Sequence, residues 1–417
     1  MHIIHRNCCR VCGSKSLKPV IDLGDQYLQG SFLKEGKENP PLRKIPTRLV
    51  RCNPEEDENA CGLLQLEHTL PPEILYAAYW YRSGTNQTMT NHLKGIVHSL
   101  LEIKIPKSVL DIGCNDGTML NFYPNDVNKF GVDPSDVANA IDADVDVTID
   151  TFPSPRFEKN LQGNKIDFIT SIACFYDLED PVSFARAVER CLADDGIWVF
   201  EMSYMPTMLE KKSYDTICHE HLEYYSLAVL ERILQMSGLK LFKASLNEIN
   251  GGSIRCYAAK QDCLDYENKE DKTFISNLRI KEFDLALDTD KPYKEFQDHI
   301  LKVKEDLIML IKDLKRSGKT IHVYGASTKG NTILQWCGID HTLVDCASDR
   351  NPDKDGARTI GTDIPIVSEM KSRKLKPDYY LVLPWHFRDE FIEREKDLLE
   401  KGTAFIFPLP EVEIFKK

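Results

Sequence analysis

Nowhere in the 417 residues is there the uninterrupted apolar run of about 18 residues that a membrane-spanning helix requires. The opening residues, MHIIHRNCCRVCG, have neither the apolar block nor the small-residue cleavage site of a secretory signal. An excess of positive charge is missing too: 53 Lys and Arg face 65 Asp and Glu, a formal net charge of −12, which speaks against a dedicated nucleic-acid binder. The G-x-G-x-x-G pattern with which dinucleotide folds cradle a pyrophosphate is also absent. These absences leave a globular chain expected to work in the cytoplasm, with no membrane and no nucleic-acid partner, as a monomer. Its length implies two or three domains.

What is present begins with cysteine. Five of the 13 cysteines fall in the first 61 residues. Without a secretion signal they are expected to be thiols or metal ligands rather than disulfides. Cys9 and Cys12 form a C-x-x-C knuckle, and Cys52 and Cys61 follow on either side of the acidic insert NPEEDENA. Four thiolates close a tetrahedral zinc site and let a short polar segment fold without a large core. We therefore expect structural Zn2+ on Cys9, Cys12, Cys52 and Cys61, in a module spanning residues 1–75. Cys8 ranks below Cys9 because Cys9 has the standard spacing to Cys12.

In the segment YAAYWYRSGTNQ, the residues Tyr79, Tyr81 and Ser83 alternate as on an extended strand. Spacing alone favours a core role; covering a bound cofactor is the functional alternative. From residue 92 to about 260, helix and strand patterns alternate as in a doubly wound α/β sheet. The informative element is SVLDIGCNDGTML, a buried strand carrying Asp111 that runs into a turn holding Gly113, Asn115 and Gly117. Glycines are needed where backbone approaches a ligand closely. The D-x-G-x-x-x-G spacing suits an amino-acid moiety plus a ribose, and so S-adenosyl-L-methionine. Asp133 ends the next strand, where an acid accepts both ribose hydroxyls. Asp150 and Thr151 close the third strand, where the adenine is expected. Tyr176 follows the fourth strand, and Glu201 and Ser203 sit at the tip of the fifth, facing the ligand crevice of such a sheet.

The run YDTICHEHLEYYS concentrates His219, Glu220, His221 and Tyr224 just past that fifth tip. A histidine that takes up a proton near neutral pH makes a general base. Methyl transfer to oxygen or nitrogen needs little beyond proximity. Transfer to carbon needs a carbanion-like nucleophile, which proton abstraction beside a ketone supplies, with hydrogen-bond donors stabilising the enolate oxygen. Downstream, Asn250, Gly252 and Ser253 make a turn into a strand carrying Arg255. The turn is either a hairpin device or part of the site mouth.

Residues 264–292 are rich in charge and read as a linker or exposed helix. PYKEFQDHILKVKEDLIMLIKDLKRSG is an amphipathic helix whose stripe runs through Phe296, Ile300, Val303, Leu307, Leu310 and Leu314. KTIHVYGASTKGNTILQW then repeats the strand, glycine turn and helix order, with Gly325, Ser327 and Lys329. Backbone amides at a helix N-terminus plus a lysine suit a phosphate. Trp385 and His386 lie just past a further strand. The expected architecture is α/β throughout: a zinc-binding module (1–75), a methyltransferase-type doubly wound sheet (76–262), and a helical linker plus Rossmann-like domain that binds a nucleotide sugar (263–417).

Taken in order, CGLLQL, Y-x-Y-x-S, DIGCNDG, DTICHEHLEYYS, GGSIRCY, YGASTKGNT and DRNPDKDG are similar to the motifs of the sugar C-methyltransferases of deoxysugar biosynthesis, among them the C3-methyltransferase of dTDP-tetronitrose formation. The resemblance spans essentially the whole chain. It implies methylation of C3 of a nucleotide-linked 4-keto-deoxy sugar. His221 is then the general base and Glu220 its acidic neighbour, Tyr81 and Ser83 cover the cofactor, and the YGASTKG and WHF segments cradle the nucleotide sugar. Cys218 stands where better-known members carry a tyrosine. O- or N-methylation of another metabolite is the alternative within the same chemistry.

Overall fold

The computed structural model describes residues 3–37, 40–75 and 81–417. Tyr79 lies outside them. The first strands are β1 (Ile4–His5), β2 (Leu17–Gln26), β3 (Phe32–Leu33), β4 (Ile45–Cys52), β5 (Leu64–Leu66) and β6 (His68–Thr69). A second group comprises β7 (Ser108–Ile112), β8 (Asn128–Asp133), β9 (Val145–Ile149), β10 (Ile166–Ile172), β11 (Leu192–Ser203), β12 (Glu223–Tyr224), β13 (Leu239–Asn247) and β14 (Ser253–Lys260). The last comprises β15 (Ile321–Tyr324), β16 (Cys346–Asp349), β17 (Arg358–Thr359), β18 (Ile366–Ser368), β19 (Tyr379–Val382), β20 (Ala404–Phe407) and β21 (Glu413–Phe415).

All five residues of β7 are buried, as expected of a strand in a parallel sheet covered on both faces. It lies inside a seven-stranded sheet of order β13-β14-β11-β10-β7-β8-β9, between β10 and β8. β7 to β11 are parallel, while β14 runs antiparallel to both β11 and β13. The chain winds to one side of β7 through β8 and β9, then returns to the other through β10 and β11. That reversal opens a crevice at the carboxyl end of β7. The last sheet, of order β18-β16-β15-β19-β20-β21, repeats the device with its reversal beside β15.

The zinc-module sheet, of order β12-β5-β4-β2, borrows its outer strand β12 from immediately after the histidine cluster. A second tie is the separate β3–β17 ribbon, which pairs Phe32–Leu33 with Arg358–Thr359. The helix Lys291–Arg316 buries Phe296, Ile300, Val303 and Leu307 as the stripe predicts, with Ile311 completing it. Leu310 and Leu314 pack half-buried at its margin. Each such fully buried side chain contributes about 1.5–3 kcal/mol. The charged stretch before it is helical from Lys269 to Asp284 and largely exposed, yet Ile275 and Leu278 enter the core of the central sheet. The Glu282 carboxylate there accepts the Leu227 and Ala228 amides and the Tyr204 hydroxyl, so this helix packs on the central body instead of spanning a gap. Among the described residues, no helix is long and apolar enough to cross a membrane.

Candidate active site

The four predicted zinc ligands converge. Cys9 Sγ lies 3.5 Å from Cys61 Sγ and Cys12 Sγ 3.5 Å from Cys52 Sγ, and all four sulfurs fall within 4.8 Å of one another. Sulfurs on a tetrahedral zinc with bonds of about 2.3 Å sit about 3.8 Å apart, so the donor set fits the ion. Cys8 is not part of the cluster.

At the tip of β7 the backbone turns through three left-handed residues: Gly113 (φ 75°), Asn115 (φ 52°) and Gly117 (φ 73°). The Asn115 amide donates to Asp133 Oδ2 at 2.9 Å, and the Ser135 amide donates to Asp133 Oδ1 at 2.8 Å. The acid at the end of β8 thus fixes the turn. The segment predicted to cover the cofactor is hooked onto the same turn. Asn115 Oδ1 accepts the Ser83 amide at 2.9 Å, Asn115 Nδ2 donates to the Tyr81 carbonyl at 3.2 Å, and the Gly84 amide donates to Asp116. Tyr81 itself is exposed. Burial raises Asp111 to about 7, partly offset by its bond from Thr170. Asp150 accepts the Thr151 amide and the Ser154 hydroxyl. Asp111, Asp116, Asp133 and Asp150 lie along these tips, and no Lys, Arg or His occurs in 109–119, 131–138 or 149–155. An all-acidic lining fits the ammonium, sulfonium and ribose hydroxyls of S-adenosylmethionine and would repel a pyrophosphate.

The histidine cluster divides. A turn in which the His221 amide bonds the Cys218 carbonyl at 3.1 Å breaks the extended run. His219 faces the zinc-module sheet, its Nε2 3.1 Å from Thr47 Oγ1 and 3.3 Å from the Ile45 carbonyl oxygen. This placement is structural, so the catalytic expectation for His219 is withdrawn. Glu220 lies against Gly30, where a Cβ would collide with its carboxylate at 1.7 Å. Burial raises Glu220 to about 7. The Thr216 carbonyl, not Glu220, orients the His221 ring: Nδ1 is 2.8 Å from that oxygen. Nδ1 must therefore carry the proton, which leaves Nε2 with its lone pair. Tyr224 donates to the same carbonyl at 3.4 Å and so helps hold the oxygen that orients His221. The His221 ring packs against Tyr176, with centroids 4.2 Å apart. Burial, and then the Lys329 cation, lower His221 to about 3, so its imidazole is neutral.

Lys329 comes from the opposite sheet, in the helix Thr328–Cys337 that follows β15. It donates to the Asn250 carbonyl, and its charge is felt by Asp215, His221 and His386. Trp385 Nε1 donates to Asp215 Oδ2 at 3.0 Å, and His386 lies against Gly251. The predicted residues Lys329, Trp385, His386, Asn250 and His221 therefore meet at one seam between the two crevices. Gly252 is required there: its φ is 127° and a Cβ would lie 2.3 Å from Thr207 Cγ2. Ser203 Oγ is buried with no partner among the described residues.

Other expected contacts are spent internally. Glu201 and Arg255 are directly opposed on β11 and β14, and they pair at 2.7 Å. His92 and Asn247 occupy the remaining Glu201 valences, at 2.6 and 2.9 Å. Ser253 donates to the Ile249 carbonyl at 2.8 Å. Ser327 caps its helix by accepting the Gly330 amide at 3.0 Å, and Gly325 makes room for Pro384. Sequence reading missed Thr216, whose contribution is a backbone carbonyl without a side-chain signal. It missed His92, which sits in an ordinary amphipathic helix. It also missed Lys354, which donates to the Ala326 carbonyl at 2.6 Å beneath the β15 turn.

A β7-centred sheet of this order with an acidic glycine turn defines an S-adenosylmethionine-dependent methyltransferase carrying a four-cysteine zinc module. Three family models match in succession: "Putative zinc binding domain" over residues 9–76, "Methyltransferase domain" over 86–244 and "C-methyltransferase C-terminal domain" over 248–410. The chain is a homologue of the C-methyltransferase NovU of Streptomyces niveus, with 28% identity over 414 residues, 97% of this chain and 95% of that protein. Similar solved structures include the plantazolicin methyltransferase BpumL with bound SAH, at 15% identity over 41% of this chain and 81% of that one (TM-score 0.33). An S-adenosylmethionine-dependent methyltransferase from Clostridium acetobutylicum is 12% identical over 40% of this chain and 90% of that one (TM-score 0.33).

Proposed function

We propose that this methyltransferase acts on C3 of a nucleotide-linked 4-keto-deoxy sugar. The carrying observation is the His221 tautomer: Nδ1–H is committed to the Thr216 carbonyl, and Nε2 is left as a base at the seam of two ligand crevices. In this reading residues 1–75 form the zinc module, 76–262 hold the cofactor and 263–417 hold the nucleotide sugar, with the helix Lys269–Asp284 packed back on the middle unit. Tyr81, Ser83, Asp111, Gly113, Asn115, Gly117, Asp133, Asp150 and Thr151 form the cofactor end. Bound S-adenosylmethionine supplies an electrophilic methyl group on sulfur. His221 Nε2 would take the proton from the carbon beside the ketone, the C–H electron pair staying behind as the enolate; its carbon would accept the methyl as the S–CH3 bond breaks, that pair returning to sulfur in the departing S-adenosylhomocysteine.

Lys329 has two effects here. It faces the acceptor's diphosphate, supported by the amides of its helix N-terminus. After burial, the larger cause, its charge also helps hold His221 a weak base, so an anionic acceptor beside Lys329 would relieve part of that depression. Ser203, with its unused hydroxyl, is a donor available to the enolate oxygen. Glu201, Arg255 and Ser253 shape the floor of the site through the pairs described above.

The test is transfer of labelled methyl to a panel of dTDP-, GDP- and CDP-4-keto-deoxyhexoses by wild type and His221→Ala. Label at a ring carbon is expected in wild type, with the rate falling about a thousandfold in the variant. Equal rates, or label on oxygen or nitrogen, would overturn this reading.

A further inference from the structure

We infer a second metal site, for one first-row divalent ion such as Zn2+, built by His5, Glu67 and His68 and separate from the four cysteines. β1 and β6 pair antiparallel with His5 directly opposite His68, so the two imidazoles rise from one face of the ribbon. Their ring centroids are 5.1 Å apart. Glu67 bridges them, with His5 Nε2 3.4 Å from Oε1 and His68 Nδ1 3.6 Å from Oε2. One ligand atom from each residue falls within 4.8 Å of the others. Nitrogen and oxygen ligands on a tetrahedral ion with bonds of about 2.0–2.1 Å lie about 3.4 Å apart, so the donors need only close in modestly to seat the ion.

A second observation points the same way. His68 Nδ1 is shielded from water and has no hydrogen-bond partner among the described residues, a lone pair whose want a cation satisfies. Burial holds the His68 imidazole below its ordinary pKa, in the neutral form that binds metal. Arg48 is the competing cation. It stands 3.8 Å from Glu67 Oε2 but also pairs with Asp22 at 3.2 Å, and so keeps a partner when a metal takes the carboxylate. The His5 side chain is 61% exposed, which leaves the fourth position to water. With two histidines and a carboxylate as ligands, the site suits zinc, nickel or cobalt over calcium or magnesium. Occupied, it pins β1 to β6 just ahead of the segment that hooks over the cofactor turn.

The test is zinc stoichiometry of the full-length protein after equilibration with micromolar free Zn2+, the cysteine-bound equivalent being counted first in the presence of a mild chelator. A second equivalent is expected in wild type and is absent in His5→Ala and His68→Ala. Its affinity falls about tenfold or more in Glu67→Gln. The cysteine-bound equivalent stays in every variant. Should His68→Ala shed that zinc too, His5→Ala decides, because its side chain is mostly exposed and, among the described residues, touches only the other two ligands. Only the cysteine-bound equivalent in wild type, or a second one that survives both histidine substitutions, overturns the site.

Discussion

Past the end of β7 the chain places Asp116, Asp133 and Asp150, and no cation. Past the end of β15 it places Lys329, and Lys354 paired with Asp349 of β16, around a turn of the same topology. Both sheets reverse their strand order at that point and both turns run into a glycine-marked loop. What differs is the charge at the crevice: the acidic rim fits the ammonium and sulfonium groups of S-adenosylmethionine, and under the proposed function the lysine-bearing rim takes the diphosphate of the acceptor. Topology locates a crevice; the charges on its rim choose the ligand.

Substitutions on each rim should therefore act on one ligand only. Asp133→Ala removes the acceptor of the Asn115 and Ser135 amides, charge-assisted bonds each worth about 1.5–3 kcal/mol. S-adenosylmethionine affinity, read by calorimetry, is expected to fall about a hundredfold while nucleotide-sugar affinity stays. Lys329→Met should do the reverse, weakening nucleotide-sugar binding about tenfold in equilibrium dialysis and leaving the cofactor's dissociation constant alone. An effect of either variant on the other ligand breaks the comparison.

Two further changes probe the seam. Gly252→Ala meets Thr207 and a positive φ together, and is expected to cost about 1–3 kcal/mol in urea unfolding. His386 is held at about 3 by burial and then by Lys329 and Lys211. Its folded pKa lies below the unfolded value near 6.5, so its contribution is present above that value and is lost as pH falls toward 3. Asp111 and Glu220, raised to about 7, pull the opposite way, so a paired comparison isolates the histidine. His386→Gln should gain on wild type in unfolding free energy from urea titration between pH 7 and pH 5, by about 2 kcal/mol.

The cofactor turn was readable because its signals are local: a mostly apolar strand, glycines at fixed offsets, and an acid one strand later. The cysteine site was readable for the same reason. The histidine run showed its density but not its division, since the turn at Cys218–His221 sends His219 to Thr47 and His221 to the seam. Glu201 and Arg255 each lie at a strand tip, where polar residues usually meet ligand. Only the β11–β14 register shows that they face one another. Likewise Lys329 and Asn250 are brought together by the packing of one sheet on another, which no local pattern records.

β12 has a consequence for how the chain is made. The strand that follows His221 is the outer strand of the zinc-module sheet, paired to β5 through Glu223–Gln65 and Tyr224–Leu64. As the polypeptide leaves the ribosome, β5 emerges early and presents an open edge until the whole β7–β11 segment has been translated. An unpaired edge is where neighbouring nascent chains associate. The module's own completion thus waits on the cofactor-binding half, and co-translational folding should be most vulnerable to aggregation when synthesis stalls between those two points.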